Sequence, residues 1–198
     1  MPGGTKRLWG TGRRLVGNVL PLLIGAPFLV YGAMKFPAEG FQGQAAAAIV
    51  AFPVALWLAT NFLGLVGGIG LKREIERRLH LERPFDRTEK FFVGFARPSY
   101  SSLLDPHEDV GFLIVHPDSL EFFGADVRAE LARSSVDSVS FRPNPHTWAG
   151  LGRWISVDGK VDEASVRLLL EPRSRATLLG NRAEGKRLRA RLQNWLKG

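Results

Sequence analysis

Asp105, His107, Glu108 and Asp109 fall within five positions of the segment LLDPHEDVGFLIV (103–115), directly before an apolar run, in a chain with only four histidines. Carboxylates and an imidazole at this density are metal-ligand and acid/base types. A metal ion needs several of them converging at about 2 to 2.5 Å. In an extended chain Asp105, His107 and Asp109 share a side, but Pro106 favours a turn and no second cluster completes the shell. The paired carboxylates of glycoside hydrolysis come from separate elements facing a cleft, not from neighbours on one loop. Ser101 and Ser102 have no assigned base, and the chain contains no glycine-rich phosphate loop and no zincin motif. The expectation is a solvated loop tip whose acids cap turns, with no catalytic residue, no metal and no cofactor.

A second candidate surface is FRPNPHTWAGLGRW (141–154), which gathers Arg142, His146, Trp148, Arg153 and Trp154. Tryptophan and arginine are enriched in protein-binding hot spots. Tryptophan also anchors at bilayer interfaces and fills the ends of small domains, so three readings of this loop stand side by side. A third candidate is the basic face of the last segment, formed by Arg182, Lys186, Arg187, Arg189 and Arg191. Its plain reading is a solvated helix face. Attraction to anionic lipid comes next, worth about 1 kcal/mol per basic residue held near the surface. Nucleic acid is set aside because no recognition motif accompanies the charge.

The elements that must carry these residues divide the chain in two. Of 198 residues, 15–34 and 45–69 contain no charged side chain, and each is long enough to cross a hydrocarbon core, which takes about 20 residues of helix. Pro21, Pro27 and Pro53 lie inside these runs and are tolerated in spans. A cleaved signal peptide is the rival reading of the first run, but that run exceeds the usual 7 to 15 residues and a second span follows at once. Lys6, Arg7, Arg13 and Arg14 precede the first span, and Lys72, Arg73, Arg77 and Arg78 follow the second, whereas the connecting segment holds only Lys35 and Glu39. The positive-inside rule then puts both termini in the cytoplasm. Neither span carries an ionisable residue of the kind that marks proton or ion paths. Ala47, Ala51, Ala55 and Ala59 form a ridge of small side chains, suited to packing on the first span around Gly17 and Gly25 or on another membrane protein.

Net charge is +8, but its distribution matters more than its sum. Residues 173–197 carry eight basic groups against Glu184 alone, while 91–171 hold twelve acids against seven bases. The absence of cysteine removes disulfides, thiolate metal sites and cysteine nucleophiles. Leu71, Ile75 and Leu79, with Glu74 four residues before Arg78, predict a helical connector ending near Pro84, its mixed charges on a solvated or headgroup-facing surface.

From residue 91 onward, short β-rich runs alternate with turn residues: 91–96, 110–115, 119–124, 127–132, 136–141, 153–158 and 165–171. A final helix follows, with Asn181 and Glu184 as a capping pair and Leu188, Leu192, Trp195 and Leu196 as one apolar stripe. With the local sequences DVGFLIVHPDSLEFFG and ELARSSVDSVSF, this arrangement resembles bacterial pleckstrin-homology-like (PH-like, GRAM-like) domains that accompany transmembrane hairpins. The resemblance implies a seven-stranded barrel plugged by its terminal helix. It also makes residues 97–109 the loop where phosphoinositide readers of the family hold phosphate with Lys and Arg. Here that loop has Arg97 at its base and acids at its tip, which repel a phosphate headgroup.

The expected molecule is a membrane-anchored α+β protein: a basic N-terminus (1–14), a transmembrane hairpin (15–71), a helical connector (72–90) and a cytoplasmic PH-like domain (91–198). The expected role is a non-enzymatic accessory, scaffold or assembly protein of the bacterial inner membrane. It would bind other membrane proteins through its two polar loops and the alanine ridge, an energy-transducing complex being one host. An anionic-lipid sensor is the alternative, with a metal-dependent enzyme behind it.

Overall fold

A computed structural model describes residues 9–63, 68–83, 88–99 and 107–198. Helices α1 (Thr11–Glu39) and α2 (Gly43–Leu63) form a hairpin, and both are long and apolar enough to cross a membrane. Helix α1 continues through Pro21, Pro27 and Pro37, and α2 through Pro53. The turn between them is built by glycine and one acid. Gly40 and Gly43 take positive φ values (60° and 54°), which glycine adopts without a Cβ clash. The Glu39 carboxylate accepts from Gln44 N (2.8 Å) and Ala45 N (3.0 Å), satisfying two of the free donors at the start of α2.

The two helices meet where α1 offers no side chain. A Cβ at Gly32 would lie 2.8 Å from Ile49 Cγ1, and one at Gly25 would lie 3.2 Å from the Phe52 ring. The alanine ridge is therefore not the hairpin seam as a unit. Ala59 is buried and Ala51 and Ala55 are half-buried, but Ala47 is exposed, and Ala45 and Ala48 take the buried positions instead. Gly17 lies outside the residues whose surroundings are described.

Helix α3 (Gly68–Glu82) follows, with Leu71, Ile75 and Leu79 buried as one stripe and Arg73, Glu76, Arg77 and His80 turned to solvent. Seven antiparallel strands come next: β1 (Glu89–Ala96), β2 (Asp109–Val115), β3 (Ser119–Gly124), β4 (Arg128–Ala132), β5 (Val136–Arg142), β6 (Trp154–Val161) and β7 (Ala164–Pro172). Their order is β4-β3-β2-β1-β7-β6-β5, so β1 and β7 join a four-strand meander to a three-strand one. All seven expected runs are strands, displaced by no more than three residues at any end. The sheet is open rather than a hydrogen-bonded barrel. Strands β4 and β5 are its two edges, joined by a 3-10 turn at Arg133–Ser135 instead of a ladder.

The sheet has two buried faces. On the inner one, residues from all seven strands form a single cluster with Leu188, Leu192 and Trp195 of α5 (Leu178–Lys197), which requires the sheet to curl around that helix. Trp195 Nε1 donates to His116 O (2.7 Å) and Gln193 Nε2 to Val139 O (3.0 Å), fixing the end of α5 to both halves of the sheet. On the outer face, Leu71, Ile75 and Leu79 of α3 pack with Trp9 on Phe92, Phe112, Ile114 and Phe123. Strand β2 is consequently buried along its whole length, which explains the continuous apolar run VGFLIV.

The expected capping pair at 181 and 184 is not the cap of α5. Thr177 is the N-cap, its hydroxyl accepting from Gly180 N (3.1 Å). Asn181 is a buried residue of the first turn that binds back to the preceding loop, accepting from Arg175 N (2.8 Å) and donating to Arg175 O (3.1 Å).

Candidate functional site

The outer face continues past α3 over β1, β7 and β6, and there the two polar loops of the sequence meet. Gly94 of β1 lies directly opposite Glu171 of β7. His107, entering β2, lies over Gly94 so closely that a Cβ there would be 2.1 Å from His107 Cδ2. Glycine in a strand marks such an approach. His107 is 0% exposed, and its Nε2 lies 3.0 Å from Glu171 Oε2. From the β5–β6 loop, His146 Nδ1 reaches the same carboxylate at 3.0 and 3.2 Å. Trp154, at the start of β6, presents its ring edge-on to His107, with centroids 5.0 Å apart. Gly152 completes the enclosure, since a Cβ there would lie 2.0 Å from Glu171 Oε1.

Burial pushes the Glu171 carboxyl up, but the charge of His146 and hydrogen bonds from both imidazoles outweigh it and hold the group well below the usual carboxylate range. Glu171 is therefore an ionised buried acid shared by two histidines. Beside it, Asp109 is also fully buried, accepting from Val110 N (2.8 Å), Asp126 N (2.9 Å) and Val127 N (2.7 Å). Burial raises its pKa against the opposing pull of these three donors. Asp109 thereby fastens the β3–β4 turn to the start of β2.

The expected solvated tip is thus an inward-facing clasp at His107 and Asp109. Glu108 pairs with Arg97 across the base of the loop. Asp105 lies outside the described residues. Among those described, no group of three or more His, Asp or Glu side chains has the arrangement of a metal site. The candidates are committed to separate partners: His107 to Glu171, Glu108 to Arg97 and Asp109 to three backbone N–H groups.

The tryptophan- and arginine-rich loop separates into distinct roles. Asn144 caps the short helix α4 (Pro145–Trp148) with Thr147 in a reciprocal box, and Thr147 Oγ1 also donates to Gly152 O (2.9 Å). That geometry turns His146 inward and Trp148 outward, where it is 92% exposed. Arg153 stacks on Phe141 at 4.5 Å, and Arg189 of α5 lies near the same ring at 4.6 Å. Arg142 donates to Ser156 Oγ (3.2 Å) near Asp158, which also pairs with Arg167. Only Trp148 of the five is fully presented to solvent.

The basic face of α5 is likewise divided. Arg182 donates to Gly150 O (2.9 Å) and Arg191 to Glu89 (2.5 Å), while Arg187 sits 3.3 Å from Glu184 and Lys186 is exposed.

Sequence reasoning missed four participants. Glu171 ends an apolar strand run and gave no local sign, although Gly94 within FFVGFA pointed to a close approach. Trp9 is buried on the outer face, its Nε1 3.5 Å from His107 O. Trp57 of α2 donates to Ala149 O (2.8 Å), and Asn61 Oδ1 accepts from Leu179 N (2.9 Å). The signal for Asn61 was a lone amide inside an apolar helix, which needs a partner.

No known family model and no curated protein matches this chain. Functional inference therefore rests on the geometry. Its distinctive feature is that the ends of the hairpin, at Trp9 and at Trp57 with Asn61, both grip the sheet domain.

Proposed function

We propose that this chain is a non-enzymatic accessory, scaffold or assembly protein of a bacterial inner membrane. The hairpin α1–α2 spans the bilayer, and the sheet with α5 is a PH-like module on the cytoplasmic side that binds other proteins. The observation that carries this reading is the grip itself. The bonds from Trp57 to the β5–β6 loop and from Asn61 to the first turn of α5 tie the module to the hairpin at two points, with Trp9 as a third contact. A module so tied presents its surfaces at a fixed height and orientation, which is what a membrane-protein neighbour requires and a diffusing enzyme does not.

Three further observations support it. The PH-like resemblance implies a seven-stranded barrel plugged by its terminal helix, and the seven antiparallel strands packed on α5 agree with it in strand number and helix position, though the sheet is open. The acid and histidines that could have served catalysis bind one another inside the fold. Ala47 and the exposed flank of α2 at Val50 and Val54 leave room for a neighbouring helix. A larger membrane complex, energy-transducing ones included, is the class of host that fits.

Extraction in a mild detergent followed by mass spectrometry tests the reading. A membrane protein co-purifying in fixed proportion is the expected result, and a chain that emerges alone under every gentle condition contradicts it. The alternative, an anionic-lipid sensor, rests on Lys186 and the exposed bases beside it on α5.

A further inference from the structure

Trp148 is the most exposed large apolar residue among those described, yet it stands on a loop braced by the Asn144–Thr147 capping box. Its position relative to α2 explains why. The carbonyl of the adjacent Ala149 accepts the Trp57 bond, and Trp57 lies six residues before the last residue of α2. Asn61, one turn or about 6 Å further along α2, accepts from Leu179 N of α5. The loop thus lies alongside the apolar helix, one turn before the α5 contact.

That flank is itself open and apolar. Leu58 and Phe62 of α2 are exposed, as is Leu179 of α5 beside the Asn61 contact. The segment 144–152, NPHTWAGLG, contains no Lys, Arg, Asp or Glu, and its His146 is turned inward onto Glu171. By contrast, the β6–β7 turn carries Asp162 and Glu163, with Lys160 at the end of β6 beside them, at the other end of an eight-residue strand, about 25 Å away. The tryptophan-tipped loop therefore lies against the apolar helix, with the acidic β6–β7 turn away from it.

We propose that the loop 145–152 seats in the interfacial layer of the bilayer, with Trp148 among lipid headgroups and Leu58, Phe62 and Leu179 completing an apolar rim. The inference rests on the membrane reading of the hairpin and adds that the domain itself touches lipid through one defined edge. An indole ring suits this zone because its body is apolar and its N–H is a donor. Arg182, bonded to Gly150 O, is a positioning residue that holds the loop against α5 at that height.

The cysteine-free chain allows single thiol probes in the full-length protein. An environment-sensitive fluorophore is attached to Trp148→Cys, Leu29→Cys or Glu163→Cys, each in nanodiscs of phosphatidylcholine and phosphatidylglycerol with or without headgroup- and acyl-spin-labelled lipid. The expected result is strong lipid quenching and blue-shifted emission at position 148, comparable quenching at position 29, and none at position 163. Quenching at 29 with position 148 indistinguishable from 163 overturns the proposal and leaves the spanning hairpin intact. A probe at 148 shielded from both lipid quenchers and aqueous iodide indicates a protein surface there and also overturns it. Loss of quenching at 29 removes the hairpin reading, and the proposal with it.

Discussion

Glu171 accepts from two histidines at the bottom of a pocket made by two glycines, and each member of that set has a distinct expected failure. Gly94→Ala would place a methyl 2.1 Å from His107 Cδ2 in a strand that cannot yield. Overpacking of this kind costs about 1 to 3 kcal/mol, read as a lower denaturation midpoint of the full chain in detergent. Glu171→Gln removes the charge that both imidazoles face. Breaking one side of a buried ion pair costs about 3 kcal/mol or more near neutral pH. The pH dependence follows from the direction of the Glu171 shift. Its folded value lies below the ordinary 4.5, so its stabilisation is complete above about pH 4.5 and is lost as the pH falls toward the folded value. Acid unfolding of the native chain should therefore steepen below pH 4.5, and Glu171→Gln should flatten that limb. An unchanged acid limb would mean that Glu171 is not held as described. At Asp109, Asp109→Ala would strand three backbone donors, with an expected loss of about 3 kcal/mol by the same denaturation measurement.

At the scale of elements, the grip between α2 and α5 is the contact on which orientation depends. Asn61→Ala removes the acceptor for Leu179 N, and Trp57→Phe removes the donor to Ala149 O. Losing a cap of this type costs about 1 kcal/mol locally. Amide exchange in residues 178–181 should accelerate several-fold in the first variant and in residues 149–152 in the second, with the centre of the sheet unaffected. Unchanged exchange at both places would show that these bonds do not hold the domain. The strands themselves were legible in the sequence because each run has its own period and is bounded by turn residues such as His116-Pro117; the turn expected at Asp158-Gly159 instead lies inside β6, and Asp162 and Glu163, both at positive φ, make the β6–β7 turn. The orientation of DPHED was not. A histidine before a strand looks solvated until its partner is known, and Glu171 comes from the last strand, across the β1–β7 junction that no local pattern encodes. Trp148 and Trp154 look equivalent in sequence, yet the Asn144–Thr147 box and the start of β6 send one outward and one inward. The α5 cap was misplaced for a related reason: Asn181 has the right chemistry, but its amide is committed to the Arg175 backbone.

For the whole molecule, three layers share one axis of construction. The hairpin turn at Gly40–Gln42 stands at one end of α1, whose 29 residues extend about 44 Å, while Trp9 at the other end of α1 and Asn61 near the end of α2 contact the sheet domain. If the hairpin spans the bilayer, its tip and the domain must lie on opposite sides, and the proposed function, by the positive-inside rule, expects the domain on the cytoplasmic side. The same arrangement accounts for the exposed apolar residues of α1 and α2, from Leu22 to Phe62, which are costly in water and favourable in lipid. Thiol labelling in intact cells tests this claim most directly, because the chain has no native cysteine to confuse the readout. Phe41→Cys, at the exposed hairpin tip, should react with a membrane-impermeant maleimide in cells with a permeable outer envelope, whereas Glu163→Cys should react only after the inner membrane is opened. Equal labelling of the two positions before and after lysis, or the reverse order, would contradict the account.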